Sequence, residues 1–593
     1  MKEKLKLLTR QEFWYYVLIF LMAICLCIPL FQDGMYSSHD GEFHTSRALG
    51  TIEQLQNGES PFIIERFSNE LGFAWNLFYP PVSTVITSVF GFILGNVVIG
   101  MKIFIFLTFF LSGFFMYRFI RTLTRNTWTD KKIGYIAALL VSLFYMAAPY
   151  RMLNTYTRLA VGEMAAFIFI PIIFEGVYLL LQGETKKAYL FVLGAVGLIL
   201  SHNISTMLIF VLGFFYVLIN IKKLKNPKIL KTLLTSAVII ILSVLFFEIP
   251  LLEQKTTAEY EVFRYGKMYT PSLVQSHALN PLQLFYRHAD GPDNSMYFCI
   301  GIPILLGLIV TPFVWKRLKQ KYKKEYKFFL IIGIICTFMA TFLFPWFILP
   351  DLFLMIQFPW RLLGVITFCF SIVGGINFAL LFSAWQEKTK KRKLTIPYIG
   401  AAILIISSLL YALSFVTNIV CKPQDNEYYK EKEIIDTKYQ VSRYSSFLEY
   451  WPQKAIDSID YVTTHDHKVH ILRGKATISD EGKENGKLSF SIKGEEKDTF
   501  IELPYLFYKG YQIKYSPKDS NEVILLEAEE SEHGLVGLKI DSNIDGKIQV
   551  EYHMTILHKI CFVISSLTMV SYVLYLMIRR YQNKRTKILQ EAK

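Results

Sequence analysis

The stretch Pro80-Pro81-Val82-Ser83-Thr84-Val85-Ile86-Thr87-Ser88-Val89-Phe90-Gly91-Phe92-Ile93-Leu94-Gly95-Asn96-Val97-Val98 decides how this chain is threaded. It is apolar enough to enter a bilayer, but its crossing would change the parity of everything after it. Other apolar runs of about 17 to 25 residues are span candidates. They lie near 13–31, 99–120, 133–150, 164–182, 187–202, 204–221, 232–253, 296–315, 327–344, 362–384, 396–418 and 556–578. Basic clusters fall between them at Arg118 to Lys132, Lys186–Lys187, Lys222 to Lys231, Lys316 to Lys327, Lys388 to Lys393 and Arg579 to Lys587. All of these can face the cytoplasm, as the positive-inside rule asks, only if 82–98 does not cross. That stretch therefore reads as a re-entrant or interfacial helix with Pro80–Pro81 at its first turn. The expected fold is a multi-pass α-helical membrane protein of about twelve spans, with both termini cytoplasmic.

Composition supports this class. Of 593 residues, 53% are hydrophobic and only 19% charged, against about 25% charged in soluble proteins. Disorder is excluded by that hydrophobic content. The net charge of +15 sits in the short loops between runs, where it orients spans and is no sign of nucleic-acid binding. Six of the seven cysteines lie in or beside apolar runs, and no Cys-x-x-Cys pair exists, so neither a disulfide framework nor a thiolate zinc site is expected.

Segment 419–555 is different material. Stretches such as Lys487-Leu-Ser-Phe-Ser-Ile-Lys493 and Lys547-Ile-Gln-Val-Glu-Tyr552 alternate with period two, with turn residues at Glu484–Asn485–Gly486 and Asn543 to Gly546. That pattern predicts an antiparallel β-sandwich-like domain. The chain thus divides into a transmembrane module over 1–418, a β-rich extracytoplasmic domain over 419–555, and a final span with a basic tail over 556–593.

The loops left on the outer side, 32–81, 151–163, His202–Asn203, 254–295 and 345–361, carry the chemistry-bearing residues. Ser37-Ser38-His39-Asp40-Gly41-Glu42-Phe43-His44-Thr45-Ser46-Arg47 is the densest cluster. If a helix begins near Asp40, then Asp40 and His44 share a face, with Arg47 one turn on. The helix dipole keeps an N-terminal carboxylate ionised, which suits a general base or a metal ligand. An N-capped interfacial helix is the plainer alternative. Trp75 and Tyr79 read as interfacial anchors. Arg151, Arg158 and Arg361 are outward cations that suit a phosphate, which arginine grips bidentately; lipid headgroups are the competing partner. Glu163 opens a span and needs a partner there, with Arg158 the natural one. His202, Gln357 and Trp360 fall at outer span ends. Tyr286, Arg287, His288, Asp290 and Asp293 sit in the long loop 254–295. Phosphate-binding glycine loops and soluble-hydrolase signatures are absent from the sequence.

The architecture resembles the GT-C class of integral membrane glycosyltransferases. His39-Asp40-Gly41-Glu42-Phe43-His44 with Arg47, Tyr79-Pro80-Pro81 and Gln357-Phe358-Pro359-Trp360-Arg361 resemble bacterial membrane proteins labelled 6-pyruvoyl-tetrahydropterin-synthase-related. Nothing here resembles the soluble pterin enzyme of that label. Leu503-Pro504-Tyr505-Leu506-Phe507-Tyr508-Lys509-Gly510-Tyr511 is similar to YfhO-like proteins, also of the GT-C class and associated with lipoteichoic acid glycosylation. The resemblance implies transfer of a sugar from a polyprenyl phosphate carrier to a cell-envelope polymer or lipid acceptor on the outer face. It implies an outer-loop acid as base, which by position is Asp40, with Glu42 competing. His39, His44, Arg47, Tyr79, Arg151, Arg158, His202, Gln357, Trp360 and Arg361 would then bind substrate. Some members of the class use a divalent cation and others do not, and His39, Asp40 and His44 could hold one. A transporter or flippase of a lipid-linked glycan, and a non-catalytic envelope assembly protein, are the alternatives.

Overall fold

The computed structural model describes residues 10–591 apart from 126–127, 129–130, 269, 287–288, 291–295, 390–394, 431–447, 497 and 541–543. Arg287, His288 and Asp293 lie outside the described residues, as does Asn543 in the anticipated turn. The protein is mostly helical, with a β region near its C-terminus. It forms two compact units that interleave along the chain. One comprises Met1–Leu49, Pro80–Leu233 and Gly266–Tyr429; the other comprises Gly50–Tyr79, Leu234–Tyr265 and Lys430–Lys593.

The decisive stretch forms the helix Val82–Leu94. At 1.5 Å per residue it spans about 20 Å, short of a hydrocarbon core of about 30 Å. Gly95 closes it at φ +68°, the left-handed conformation that stops helices. Asn96 then caps the next helix, Val97–Leu123, by accepting the amides of Val98 and Ile99 at 2.8 and 3.2 Å. The two helices pack closely: a Cβ on Gly100 would stand 2.3 Å from the Thr87 carbonyl oxygen.

Among the described residues, six helices are long and apolar enough to cross a membrane, and a seventh span arises if Lys131–Ala147 and Pro149–Arg158, bent by 47°, act as one. This is fewer than twelve. Hydropathy counts apolar residues, whereas a span needs an unbroken rod. The run 187–202 yields only Tyr189–Ile199. The run 296–315 yields Ile302–Ile309, then a fresh turn at Thr311–Val314 with Pro312 inside it. The first run supplies only the short apolar helix Glu12–Leu26.

In the first unit, Val161–Leu181 and Pro359–Lys388 are the central helices, each with 94% of its apolar window buried. Small residues allow the helices around them to approach: a Cβ on Gly307 would lie 2.6 Å from the Gly374 Cα. Without a hydrophobic drive between helices in lipid, such close packing supplies the association energy.

The second unit holds the β region. One antiparallel sheet orders Ile524–Leu526, Tyr511–Pro517, Asp545–Tyr552, Lys487–Gly494 and Ala476–Glu484; the other orders Ala528–Glu530, Leu535–Ile540, Thr499–Leu506 and His470–Arg473. The expected alternation holds, since Leu488, Phe490 and Ile492 are all buried. Asn485 and Gly486, both at positive φ, make the two-residue hairpin turn that the Asn-Gly pair favours. Segment 50–79 packs onto this region. The Leu506 amide donates to the Leu71 carbonyl at 2.8 Å, and Trp451 Nε1 donates to Ser68 Oγ at 2.9 Å. In the same unit Ser565 on the last helix donates to the Leu242 carbonyl and accepts the Phe246 amide. All seven cysteines are free thiols.

Candidate functional site

The site in the first unit grows from one acid. Glu163 stands in the first turn of Val161–Leu181, where an unpaired carboxylate would be costly. It is fully engaged. Arg158 Nη1 reaches Glu163 Oε1 at 2.9 Å and Arg361 Nε lies 3.5 Å from the same oxygen. The Tyr150 hydroxyl donates to Oε2 at 2.6 Å and Asn154 Nδ2 at 3.0 Å.

Local structure explains the convergence. Pro149 starts a short helix after the bend, and Leu153–Arg158 winds as a π-turn closed by Leu159 at φ +50°. Such turns interrupt helices frequently at functional sites. This one lets Arg158 Nη1 donate to Asn154 Oδ1 at 2.8 Å while it also holds Glu163. Trp360 lies under the Arg158 guanidinium at 4.7 Å. Gln357, at φ +63°, accepts from Arg361 Nη1 at 2.5 Å through its side chain.

Asp40 sits against the same turn. Its amide donates to the Arg158 carbonyl at 2.8 Å, and the His39 amide donates to the Thr157 carbonyl at 2.9 Å. Asp40 immediately precedes the helix Gly41–Gln56, and its carbonyl accepts the His44 amide at 3.0 Å. Burial raises the Asp40 carboxyl above the ordinary range, against the pull of Arg158 and then His39. Asp40 as a whole is half-buried. Burial lowers His44 to about 3, with Arg47 and Arg158 adding to the effect. His202 is lowered to about 4 by burial, opposed by Glu163 and reinforced by Arg361. Both imidazoles are therefore neutral at pH 7.

His202 caps the helix Asn203–Ile219 by accepting the Ser205 amide at its Nδ1. With Glu163, Arg361, Ser205 and Phe167 it lines a cleft. Helix N-termini starting at Gly41, Val161, Asn203 and Pro359 thus present their positive ends around Glu163 and Asp40.

The other anticipated residues fall at varying distances from this centre. Glu42 accepts from the Tyr428 hydroxyl at 2.9 Å, a contact that the sequence did not suggest. Arg47 is buried with its guanidinium 3.8 Å from the Phe43 ring centre. Arg151 stands apart from the Glu163 group. It is fully buried, lies over Phe109 and Phe167 at 4.7 and 4.9 Å, and donates from Nη1 to the Met164 carbonyl at 3.3 Å. Tyr79 belongs to the other unit, stacked on Trp75 at 4.3 Å. His39, Asp40 and His44 do not form a metal-ligand set. Among the described residues the one such set is His465, Asp466 and His470 in the second unit. Tyr150 and Asn154 complete the Glu163 shell. The sequence signal for both is that they flank two cations in Tyr150-Arg151-Met152-Leu153-Asn154-Thr155-Tyr156-Thr157-Arg158.

The chain belongs to the family DUF6541, a family of unknown function, which matches residues 6–347. It is 24% identical over 630 residues to an uncharacterized protein of Lactococcus lactis subsp. cremoris (strain MG1363), covering 96% of each chain.

Proposed function

We propose that this protein is a membrane glycosyltransferase of the GT-C type. It would move a sugar from a polyprenyl-phosphate carrier to a cell-envelope acceptor outside the membrane, with no nucleic-acid partner. The observation that carries the reading is the position of Asp40, whose amide is held by the turn that ends in Arg158 and whose carboxyl interacts with the charges of Arg158, Glu163 and Arg361.

The chemistry follows from that arrangement. The acceptor hydroxyl gives its proton to Asp40 as its oxygen attacks the anomeric carbon. The bond from that carbon to the phosphate oxygen breaks, and polyprenyl phosphate leaves as an anion. General-base help of this kind contributes about 10²- to 10⁴-fold in rate. Arg158 and Arg361 face the departing charge. A guanidinium has five N–H donors, so holding Glu163 does not exhaust either one. Glu163 fixes their positions before the reaction, which is where electrostatic stabilisation gains its strength. Helix N-termini add to the positive field. Burial raises the Asp40 pKa, which makes its carboxylate a stronger base. Glu42, tied to Tyr428, is the less suitable base.

The test uses purified protein in lipid nanodiscs, with a polyprenyl-phosphate sugar and cell-envelope extract as acceptor. Acceptor-dependent release of polyprenyl phosphate supports transfer. Movement of the intact donor between leaflets without release would support the transporter reading instead.

A further inference from the structure

We propose that the β region carries a divalent transition-metal site of the zinc type, built by His465, Asp466 and His470. It lies wholly in the second unit and is independent of the Asp40 site. One ligand atom from each residue lies within 4.8 Å of the other two.

Asp466 Oδ1 is the shared centre. His470 Nε2 lies 2.7 Å from it and His465 Nδ1 3.8 Å from it. Two ligands of one tetrahedral ion at about 2.1 Å are separated by about 3.4 Å. The two observed separations bracket that value, and the third, between the two histidine nitrogens, is at most 4.8 Å.

The set has an anchored side and an open side. The His465 side chain is fully buried, whereas half of the Asp466 side chain and a third of His470 face solvent. An ion can therefore enter without unfolding the region. Around the set the protein is fastened. Asn69 Nδ2 donates to the Val462 and His465 carbonyls at 3.2 and 3.3 Å, and His467 Nε2 contacts the Asn69 carbonyl at 2.9 Å. The Tyr461 ring packs edge-on against His465 and His470 and stacks on His533 at 4.0 Å. His533 in turn contacts Glu502 at 3.1 Å. Three of the eleven histidines of the chain, His465, His470 and His533, thus gather around one tyrosine.

The His465 lone pair is on the nitrogen nearer Asp466. His465 Nδ1 accepts the His467 amide at 2.9 Å, which places the ring proton on Nε2. Nε2 is buried and has no hydrogen-bond partner. A neutral imidazole has one lone pair. A metal that takes it at Nδ1, the nitrogen 3.8 Å from Asp466 Oδ1, leaves the ring proton on Nε2 and exchanges the His467 amide bond for a coordinate bond. No net proton is released from His465 in that exchange.

Two imidazoles and one carboxylate select the metal class. Calcium and magnesium prefer oxygen-only shells, whereas zinc and its first-row neighbours take mixed nitrogen and oxygen sets. Three protein ligands leave a fourth position for water or an external ligand.

The experiment uses full-length protein in detergent, without a polyhistidine tag, stripped with a chelator and then exposed to zinc chloride or cobalt chloride alone. The account expects one zinc ion retained per chain after desalting, and the intense visible bands of tetrahedral cobalt. Asp466→Asn and His470→Asn, both on solvent-facing side chains, should each weaken zinc binding by about tenfold or more. His465→Ala should remove it, and His533→Gln should not. Zinc retention by the wild type no greater than by the Asp466→Asn/His470→Asn double variant would overturn the site. So would loss on His533→Gln with retention in the double variant, which would move the ion to Glu502.

Discussion

Two polar clusters in this protein answer the same problem, buried ionisable groups, in opposite ways. Around Glu163, two arginines, a tyrosine and an asparagine meet one carboxylate, and both of its oxygens are engaged. Around Tyr461, histidines gather with one buried nitrogen left without a partner. The first cluster pairs its own charges where helix ends meet. The second is open to solvent on one side and sits on a turn. A closed ionic cluster suits electrostatic preorganisation for a departing anion. An open histidine cluster suits capture of a cation.

The comparison breaks most visibly at Glu163. Glu163→Ala leaves Arg158 and Arg361 buried without their carboxylate, and breaking such a group costs about 3–5 kcal/mol. Thermal unfolding in detergent should show a drop of that size. A drop no larger than that of an exposed control such as Glu387→Ala would mean that solvent already screens the cluster.

A smaller effect is expected at Arg361. Arg361→Lys keeps the charge and loses the planar fork, and it should weaken binding of polyprenyl-phosphate sugar by about tenfold, the worth of one charge-assisted hydrogen bond. Unchanged affinity in both Arg361→Lys and Arg158→Lys would return these arginines to a purely structural role.

Acid should also weaken the first cluster. His44 and His202 ionise in the folded protein near 3 and 4, against 6.5 when unfolded. Between pH 6.5 and 4 the unfolded chain therefore binds more protons, and stability falls as pH falls through that window. The unfolding temperature should decline from pH 7 to pH 5, and less steeply in His202→Gln. A rise would contradict neutral burial.

The smallest effect is expected at Arg151, which has aromatic contacts and no ion pair among the described residues. Arg151→Met gives up those contacts but also removes a buried charge, so stability should stay within about 1 kcal/mol of wild type. Loss of donor binding in this variant would bring Arg151 into the site.

Arg151 also shows where sequence reading stopped. Seven residues separate it from Arg158, and in a regular helix that spacing returns to nearly the same face. The π-turn at Leu153–Arg158 slips the phase, so one arginine meets Glu163 and the other meets Phe109 and Phe167. The Arg158–Glu163 pair itself was legible, because an acid opening an apolar helix must be paired and a cation stood five residues before it. Arg361 was legible from Phe358-Pro359-Trp360-Arg361 at a span start. The β region was legible from strict alternation at Leu488, Phe490 and Ile492. The number of spans was not, since apolar runs hide breaks such as the one at Thr311 and Pro312. The histidine cluster escaped because His533 reaches Tyr461 from a hairpin about seventy residues away, and only His465-Asp466-His467 with His470 gave a local sign.

The most direct measurement is the split between donor binding and turnover in Asp40→Asn. This change keeps the size of the side chain and most of its hydrogen bonding and removes its basicity. The account predicts normal folding, normal affinity for polyprenyl-phosphate sugar, and turnover reduced by about 10²- to 10⁴-fold. Glu42→Gln should cost far less. Near-normal turnover in Asp40→Asn with loss in Glu42→Gln would transfer the role of base to Glu42. Near-normal turnover in both variants would contradict the mechanism.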